Sequence, residues 1–377
     1  MKSKYSFVLS GSILLFFICF SCKNNNKNES SRTPVYSIPT PAPKGMVWVP
    51  SKTFVQGAKD GDPFAMPREK PGHLVQVDGF YIDITEVTNA QFRTFVDATS
   101  YKTVAERTIN WEMMQTQLPP NTPKPHDSIL QPGSLIFNKN VNAVQDMNNY
   151  TQWWTWKIGA DWKHPEGPQS NIDGKDHFPV VHVAIEDALA YCKWANRRLP
   201  TEAEWEAAAQ GHYDESIYTW GDNSDLLNQN SNTWQGVFPV KNIPEDGFEL
   251  IAPVRSFPAN SIGLYDMLGN VWELTNDLFN LNYYNEIDTK SVENNPKGSD
   301  RFYNPNNPYE TEYVIKGGSF LCHESYCASF RISARMGTTQ DSGSDHIGFR
   351  TVVTKAMLKK NKNESIKAYN TNPNEVE

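Results

Sequence analysis

The order of apolar and polar positions divides the chain into stretches of different kinds. After Lys2 and Lys4, the segment from Phe7 to Phe20 is strongly apolar and ends at Cys19-Phe20-Ser21-Cys22. The run is too short and too abruptly ended to read as a membrane span. A basic start, an apolar stretch and small Ser21 before a cysteine read as a lipoprotein signal over 1–21, with Cys22 as the lipidated first residue. An ordinary secretory signal or an uncleaved anchor would export the chain equally. Residues 22–44 show no apolar period and carry Asn, Ser and Pro, as a flexible tether does. Patterned sequence begins at Gly45, and the folded unit is expected over 45–353.

Within that unit, Met46-Val47-Trp48-Val49 and the alternating His73-Leu74-Val75-Gln76-Val77 predict short strands. Thr88-Asn89-Ala90-Gln91 is a capping box, and Phe92, Phe95 and Val96 then share one helical face. Ala188, Tyr191, Cys192 and Ala195 recur at the spacing of a second buried helical stripe, which puts Cys192 on an apolar face. Thr201-Glu202-Ala203-Glu204 opens a third helix through Trp205 and Ala208. From about residue 211, Gly, Asn, Asp and Pro recur so often that long loops between short strands are expected. No repeat of solenoid-like period is found. The class is α+β and poor in regular structure, and 354–377, rich in Lys, Asn and Glu, reads as a disordered tail.

Composition changes this picture in two places. Eleven tryptophans fall between Trp48 and Trp272, so aromatic mass is concentrated where the folded unit is expected. A net charge of -8, with no dense basic cluster in the middle, excludes a nucleic-acid footprint. Zinc-protease, P-loop, dinucleotide and Gly-x-Ser-x-Gly patterns are absent.

Three of the cysteines lie beyond the signal and Cys22. Cys192 reads as a small packed hydrophobe. Cys322 and Cys327 follow Lys316-Gly317-Gly318-Ser319, with four residues between them. Spacing alone leaves two readings open: a structural disulfide of an exported protein, or a redox or metal-binding dithiol. Such a pair cannot build a four-cysteine zinc site, whereas soft thiolates suit Cu(I). Asn232, Asp246, Asp266 and Glu273 offer oxygen ligands in loop-rich sequence, the chemistry of Ca²⁺, without forming an EF-hand. They are equally ordinary turn residues.

Several motifs act together beyond these patterns. Phe80-Tyr81-Ile82-Asp83 precedes Glu86-Val87-Thr88-Asn89, and Trp162-Lys163-His164-Pro165-Glu166-Gly167-Pro168 follows. Arg198-Leu199-Pro200-Thr201-Glu202, Trp220-Gly221 and Gly263-Leu264-Tyr265-Asp266-Met267-Leu268-Gly269-Asn270-Val271-Trp272-Glu273 come next. Cys322-His323-Glu324-Ser325-Tyr326-Cys327 and Gly348-Phe349-Arg350 complete the set. By these motifs the chain resembles the formylglycine-generating enzyme, or sulfatase-modifying factor, family from about Gly45 to Val352. The His-Pro-Glu-Gly-Pro and Cys-His-x-Ser-Tyr-Cys runs are the most specific.

The resemblance implies a single compact domain related to the C-type lectin fold, binding Ca²⁺ structurally and Cu(I) catalytically. It implies that Cys322 and Cys327 hold Cu(I). O₂ would then oxidise the cysteine of a Cys-x-Pro-x-Arg motif in an unfolded sulfatase polypeptide to formylglycine. Ser319, Trp272, Tyr326 and Arg335 would line the cleft. His346, counted with the site, stands where the familiar pattern has asparagine, and Gly343 where it has serine. One calcium set would comprise Asn232, Thr233, Asp246 and Phe248, the other Asp266, Gly269, Val271 and Glu273. Thr351, Ile332 and Ala209 stand where familiar members carry disulfide cysteines, so structural disulfides are not expected and Cys192 should be a free thiol.

Two rivals share the fold. One is a non-catalytic anchored scaffold or binding protein, such as a gliding-motility-associated lipoprotein; an unpaired dithiol argues against it. The other is an iron-dependent sulfoxide synthase, for whose extra helical domain residues 23–44 leave no room. The expected location is the cell envelope, held by the lipid anchor and facing the periplasm, with the cell surface as the alternative.

Overall fold

The alternating segments after Gly45 fold as four short strands: β1 (Met46–Val49), β2 (Lys52–Gln56), β3 (His73–Val77) and β4 (Phe80–Asp83). β1 pairs antiparallel with β4, and β2 with β3. The computed structural model describes residues 42–361. The expected signal, Cys22 and most of the tether lie outside the described residues.

Thr88 caps α1 (Asn89–Thr99) as its capping box predicts. Its hydroxyl accepts from the Gln91 N–H, while the Gln91 side chain accepts from the Thr88 N–H, so two helix-end donors are satisfied. The pattern predicts neither α2 (Trp111–Gln115) nor the hairpin of β5 (Gly133–Phe137) and β6 (Trp154–Ile158). In β5 consecutive Leu135, Ile136 and Phe137 blur the period of two, while β6 alternates as Trp154-Thr155-Trp156-Lys157-Ile158 and leaves Trp156 and Ile158 exposed.

α3 (Ile185–Trp194) buries Ala188, Tyr191 and Cys192, while Ala195 ends the helix and is half-buried. Tyr191 packs on Phe92 and Phe95 of α1. α4 (Glu202–Gln210) opens on Thr201, whose hydroxyl accepts from the Glu204 N–H. Every residue of α4 is buried, including its glutamates, which is possible only because their carboxylates find cations.

The remainder is loop-rich, as expected, and carries short strands. β7 (Gly236–Val237) and β8 (Lys241–Asn242) form a small hairpin. β9 (Trp272–Leu278), β11 (Glu312–Lys316), β12 (Arg335–Thr339) and β13 (Ile347–Gly348) make a sheet in the order β12-β11-β9-β13. β10 (Glu293–Asn294) lies beside β3, and β14 (Val352–Val353) joins β4. The first and last strands of the fold therefore share one sheet, and a large core spans helices and sheets alike.

One boundary is corrected. Residues 355–361 are helical rather than disordered, because Met357 and Leu358 pack on Met46, Tyr81 and Val353. The rest of the expected tail lies outside the described residues. Cys192, Cys322 and Cys327 are all free thiols. Thr351 donates its hydroxyl to Asp83 at 2.5 Å, and Arg197 binds the same carboxylate at 2.6 Å. Ile332 and Ala209 are buried core residues.

Candidate active site

β11 ends at Lys316, and the chain then turns sharply through Gly317 and Gly318, both with positive φ of 89° and 75°. A Cβ on Gly317 would meet the Met267 carbonyl oxygen at 2.7 Å, and one on Gly318 the Ser329–Phe330 backbone at 2.9 Å. Glycine alone suits such a turn. The loop that follows closes on itself: the Cys322 N–H donates to the Ser319 carbonyl at 2.9 Å, and the Cys327 N–H to that of His323 at 3.0 Å. This brings the thiols together as a dithiol, close enough for each to act on the other's pKa. Of the two readings that spacing left open, the disulfide is not formed.

The pair lies in a cleft of about 330 Å³. Cys322, Cys327, Ser319, Trp272, Tyr326 and His346 all line it, as the resemblance implied. Arg335 does not. Side chains alternate along β12, so Met336 faces the cleft while Arg335 turns to the opposite face. There Arg335 is fully buried, pairs with Glu202 at 2.8 and 2.9 Å, donates to the Asn280 carbonyl at 3.0 Å and sits over the Tyr284 ring. Its expected place in the cleft is corrected. A larger hollow of about 830 Å³, beside Pro67 and Ser333, holds neither thiol.

Pattern reading missed the apolar wall formed by Leu135, Trp153, Trp154 and Phe238. The run Trp153-Trp154-Thr155-Trp156 was the available signal, since so much aromatic surface in a loop-rich stretch calls for a partner.

The wall shapes the chemistry. Burial and the hydrogen bond to Cys327 hold the Cys322 thiol well above its usual range. Burial also pushes Cys327 up, but the bond from Cys322 and donors from Ser329 and the His323 backbone outweigh it, leaving Cys327 the more acidic thiol. Tyr326 stacks on Phe238 at 4.7 Å, and burial with the two sulfurs beside it pushes its phenol up to about 12. His346 lies 4.7 Å from the Trp154 ring and 3.4 Å from the Ser319 hydroxyl. Burial, with His182 nearby, pushes it down to about 3, so the imidazole is neutral. A Cβ on Gly343 would meet the His182 backbone at 2.6 Å, so a serine there would force that segment to shift.

The family model of the sulfatase-modifying factor enzyme 1-like domain matches residues 34–355. The chain belongs to the sulfatase-modifying factor family. It is 40% identical over 320 residues to a formylglycine-generating enzyme of Thermomonospora curvata, covering 84% of this chain and 96% of that protein. It is also 35% identical over 308 residues to the inactive C-alpha-formylglycine-generating enzyme 2 of Bos taurus, covering 81% and 86%. Among solved structures, PvdO from Pseudomonas aeruginosa shares the fold, with a TM-score of 0.53 and 20% identity over 81% of this chain and 93% of that one.

The two cation sites implied by the family resemblance differ in this structure. In the first, the Asp246 carboxylate accepts from the Thr233 N–H at 3.1 Å and the Phe248 N–H at 2.9 Å, which brings the four residues together. The Asn232 amide donates to the Leu250 carbonyl, leaving its own side-chain oxygen buried without a partner. An orphaned oxygen beside a carboxylate fits a hard cation such as Ca²⁺.

In the second, Glu273 is already held by Arg350 at 2.6 Å on each oxygen and by the Trp205 indole at 2.8 Å. Asp266, pushed up to about 6 by burial, instead faces Glu86, one of whose oxygens is buried and unpartnered. Burial, then Asp266, push the Glu86 carboxyl far up. Glu86 stands in the sequence only as part of the Glu86-Val87-Thr88-Asn89 motif, with no pattern that points to this site. Among the described residues no three acidic, His or Cys side chains converge on one point, so a cation here would draw on the Gly269 and Val271 carbonyls as well.

Proposed function

We propose that this chain is a formylglycine-generating oxidase that converts the cysteine of a Cys-x-Pro-x-Arg segment in an unfolded sulfatase to formylglycine with O₂ and Cu(I). The observation that carries the reading is the pair of free thiols lining one apolar cleft. Curated relatives named formylglycine-generating enzyme, 40% identical over most of the chain, support an enzyme.

The donor set fits the metal. Two free thiols in one cleft offer the soft donors that Cu(I) takes, and Cys327 is held below its ordinary pKa, which favours the thiolate a metal needs. Cys322 and Cys327 would hold the copper, which supplies soft Lewis acidity toward a further thiolate and a route for electrons to O₂. The Ser319 N–H donates to the Cys322 sulfur at 3.4 Å and fixes it. Trp272, Trp153 and Phe238 keep water from the thiols, neutral His346 holds the Ser319 hydroxyl, and Tyr326 stands at the rim as an uncharged phenol.

The client β-carbon loses two electrons to become a thioaldehyde, which water hydrolyses to the aldehyde and hydrogen sulfide. Reduction of O₂ to water takes four electrons, so an external thiol reductant supplies the other two and becomes a disulfide.

Calcium at Asn232, Thr233, Asp246 and Phe248, and at Asp266, Gly269, Val271 and Glu273, would tie loops together without entering the oxidation. The chain would be exported, lipidated at Cys22, and held in the envelope facing the periplasm.

Aerobic incubation of the Cu(I)-loaded domain with a Cys-x-Pro-x-Arg peptide and a thiol reductant tests the reading. Mass spectrometry would show the thiol replaced by an aldehyde; no conversion with copper bound would sink it. The second reading, a non-catalytic anchored scaffold, is favoured only by the likeness to an inactive relative.

A further inference from the structure

The two faces of β6 differ in character. Across the hairpin Trp154 stands opposite Phe137, Trp156 opposite Leu135 and Ile158 opposite Gly133, so Leu135, Trp154, Trp156 and Ile158 share one face. Thr155 and Lys157 take the reverse face. There the Lys157 stem lies against Gly167, where an added Cβ would come within 2.5 Å of it. Leu135 and Trp154 line the thiol cleft, and His346 of the same cleft lies 4.7 Å from the Trp154 ring. Trp156 and Ile158 carry the face on past the cleft, where they are 39% and 45% exposed. Among the described residues they belong to none of the core clusters, whereas Trp154 packs beside Phe137 and Trp153. Gly133 puts no side chain over Ile158.

Two large apolar side chains on one face, continuous with a cleft, mark a contact surface rather than scattered exposure. Resting on the reading of the cleft as a client site, we propose that Trp156 and Ile158 extend it. They take apolar side chains of the client that flank its Cys-x-Pro-x-Arg segment. The occupant follows from continuity: a client seated against Leu135 and Trp154 is longer than its motif and must leave the cleft along a wall. Same-face residues of a strand are about 7 Å apart, so Trp156 lies about 7 Å and Ile158 about 13 Å beyond Trp154. An extended client running with β6 advances at the same rate. Its residues two and four places beyond the one at Trp154 then meet them.

An unfolded client still exposes the apolar residues that folding buries. An apolar stripe beside the cleft therefore favours unfolded clients over folded ones, a distinction the two thiols alone do not make. The stripe leaves the cleft on one side, so one flank of the client meets it and the other does not. Neither Trp156 nor Ile158 lies in the motifs that carry the family resemblance, so the extension belongs to this chain's own sequence.

Peptide binding tests this without relying on turnover. Fluorescent peptides with serine in place of the client cysteine and a short flank on each side are titrated with the chain and read by anisotropy. In the first peptide both flanks are Ser and Gly. The second carries leucines in the amino-side flank, the third in the carboxyl-side flank. One apolar flank should tighten binding about tenfold and the other less than about twofold. In the double variant Trp156→Thr with Ile158→Thr, where threonine keeps the strand propensity, the tenfold gain should fall below about twofold. Equal gains on both flanks, no gain on either, or a gain that survives the double variant overturns the extension. So does a dimer in sedimentation that the double variant dissolves while the flank gain is untouched, because a second copy then covers the stripe. Conversion of a cysteine peptide without a flank gain removes the extension and leaves the oxidase reading standing; a flank gain without conversion does the opposite.

Discussion

On one face of the β11–β12 ladder, Lys316 and Arg335 are fully buried and each meets a carboxylate, at 2.7 Å to Glu206 and 2.8 Å to Glu202. On the other face, Ile315, Met336 and Thr338 border a cleft whose thiols are free and face one another's field, Cys322 taking the Ser319 N–H of its own loop. The same strands build both, because alternation sends neighbouring residues to opposite environments. The difference separates roles that residue type alone does not. A buried charge with all its partners holds the fold together, while a reactive group left without an opposite charge is available for chemistry. Arg335 is the instructive case: a basic residue near the cleft in sequence, it belongs wholly to the saturated side.

The comparison breaks first on the thiols. Cys322→Ser and Cys327→Ser should each lower turnover at least about a thousandfold. The melting temperature should stay within about 2 °C, since neither sulfur bridges two parts of the fold. Retained turnover in either variant would remove the dithiol from the mechanism. Arg335→Met should behave in the reverse way. It strands Glu202 without its guanidinium and should cost about 3–5 kcal/mol, read by chemical denaturation, while the remaining folded protein keeps its KM within a fewfold. An intact stability with a collapsed kcat would return Arg335 to the cleft.

Smaller effects sharpen the picture at sites that fall between the two classes. Chelation of calcium should lower stability by about 2–3 kcal/mol at saturating metal, and Asn232→Ala should lose most of that sensitivity. An unchanged thermal melt on chelation would leave the orphaned Asn232 oxygen to a water.

Asp345 is smaller still. It carries one partnerless oxygen beside the cleft loop, and burial pushes its carboxyl up to about 7 although it accepts the Phe137 N–H. A raised folded pKa favours the protonated form in the fold. Its stabilisation is therefore full below about pH 4 and is lost as pH rises through 7. Asp345→Asn should then melt higher than the parent at pH 8, by about 2 °C, and the two should converge near pH 4. A pH-independent difference would mean that Asp345 does not titrate in this range.

Much of the frame was legible in sequence because it depends on local physics. Thr88 and Thr201 form capping boxes wherever such residues precede an apolar stripe, and Gly317-Gly318 marks a turn that side chains forbid. The thiol pair was legible as a spacing, but not its redox state, which follows from how the loop closes. Arg335 misled because it was placed in the cleft by the family resemblance alone, and a motif match does not reveal on which face of a strand a side chain falls. In the hairpin of β5 and β6, Trp154-Thr155-Trp156-Lys157-Ile158 alternates cleanly and was a legible strand signal, whereas consecutive Leu135, Ile136 and Phe137 hid its partner. Glu86 escaped because its orphaned oxygen is a property of packing against Asp266, far away in the chain.

Where familiar members are expected to be cross-linked, Asp83, Arg197 and Thr351 join their segments through hydrogen bonds instead. No bridge among the described residues is open to reduction. Strong dithiol reagents can therefore be present at any stage of purification or assay without loosening the scaffold. The same holds in the reducing interior of a production host, so the domain over residues 45–353 could be made there with its scaffold intact.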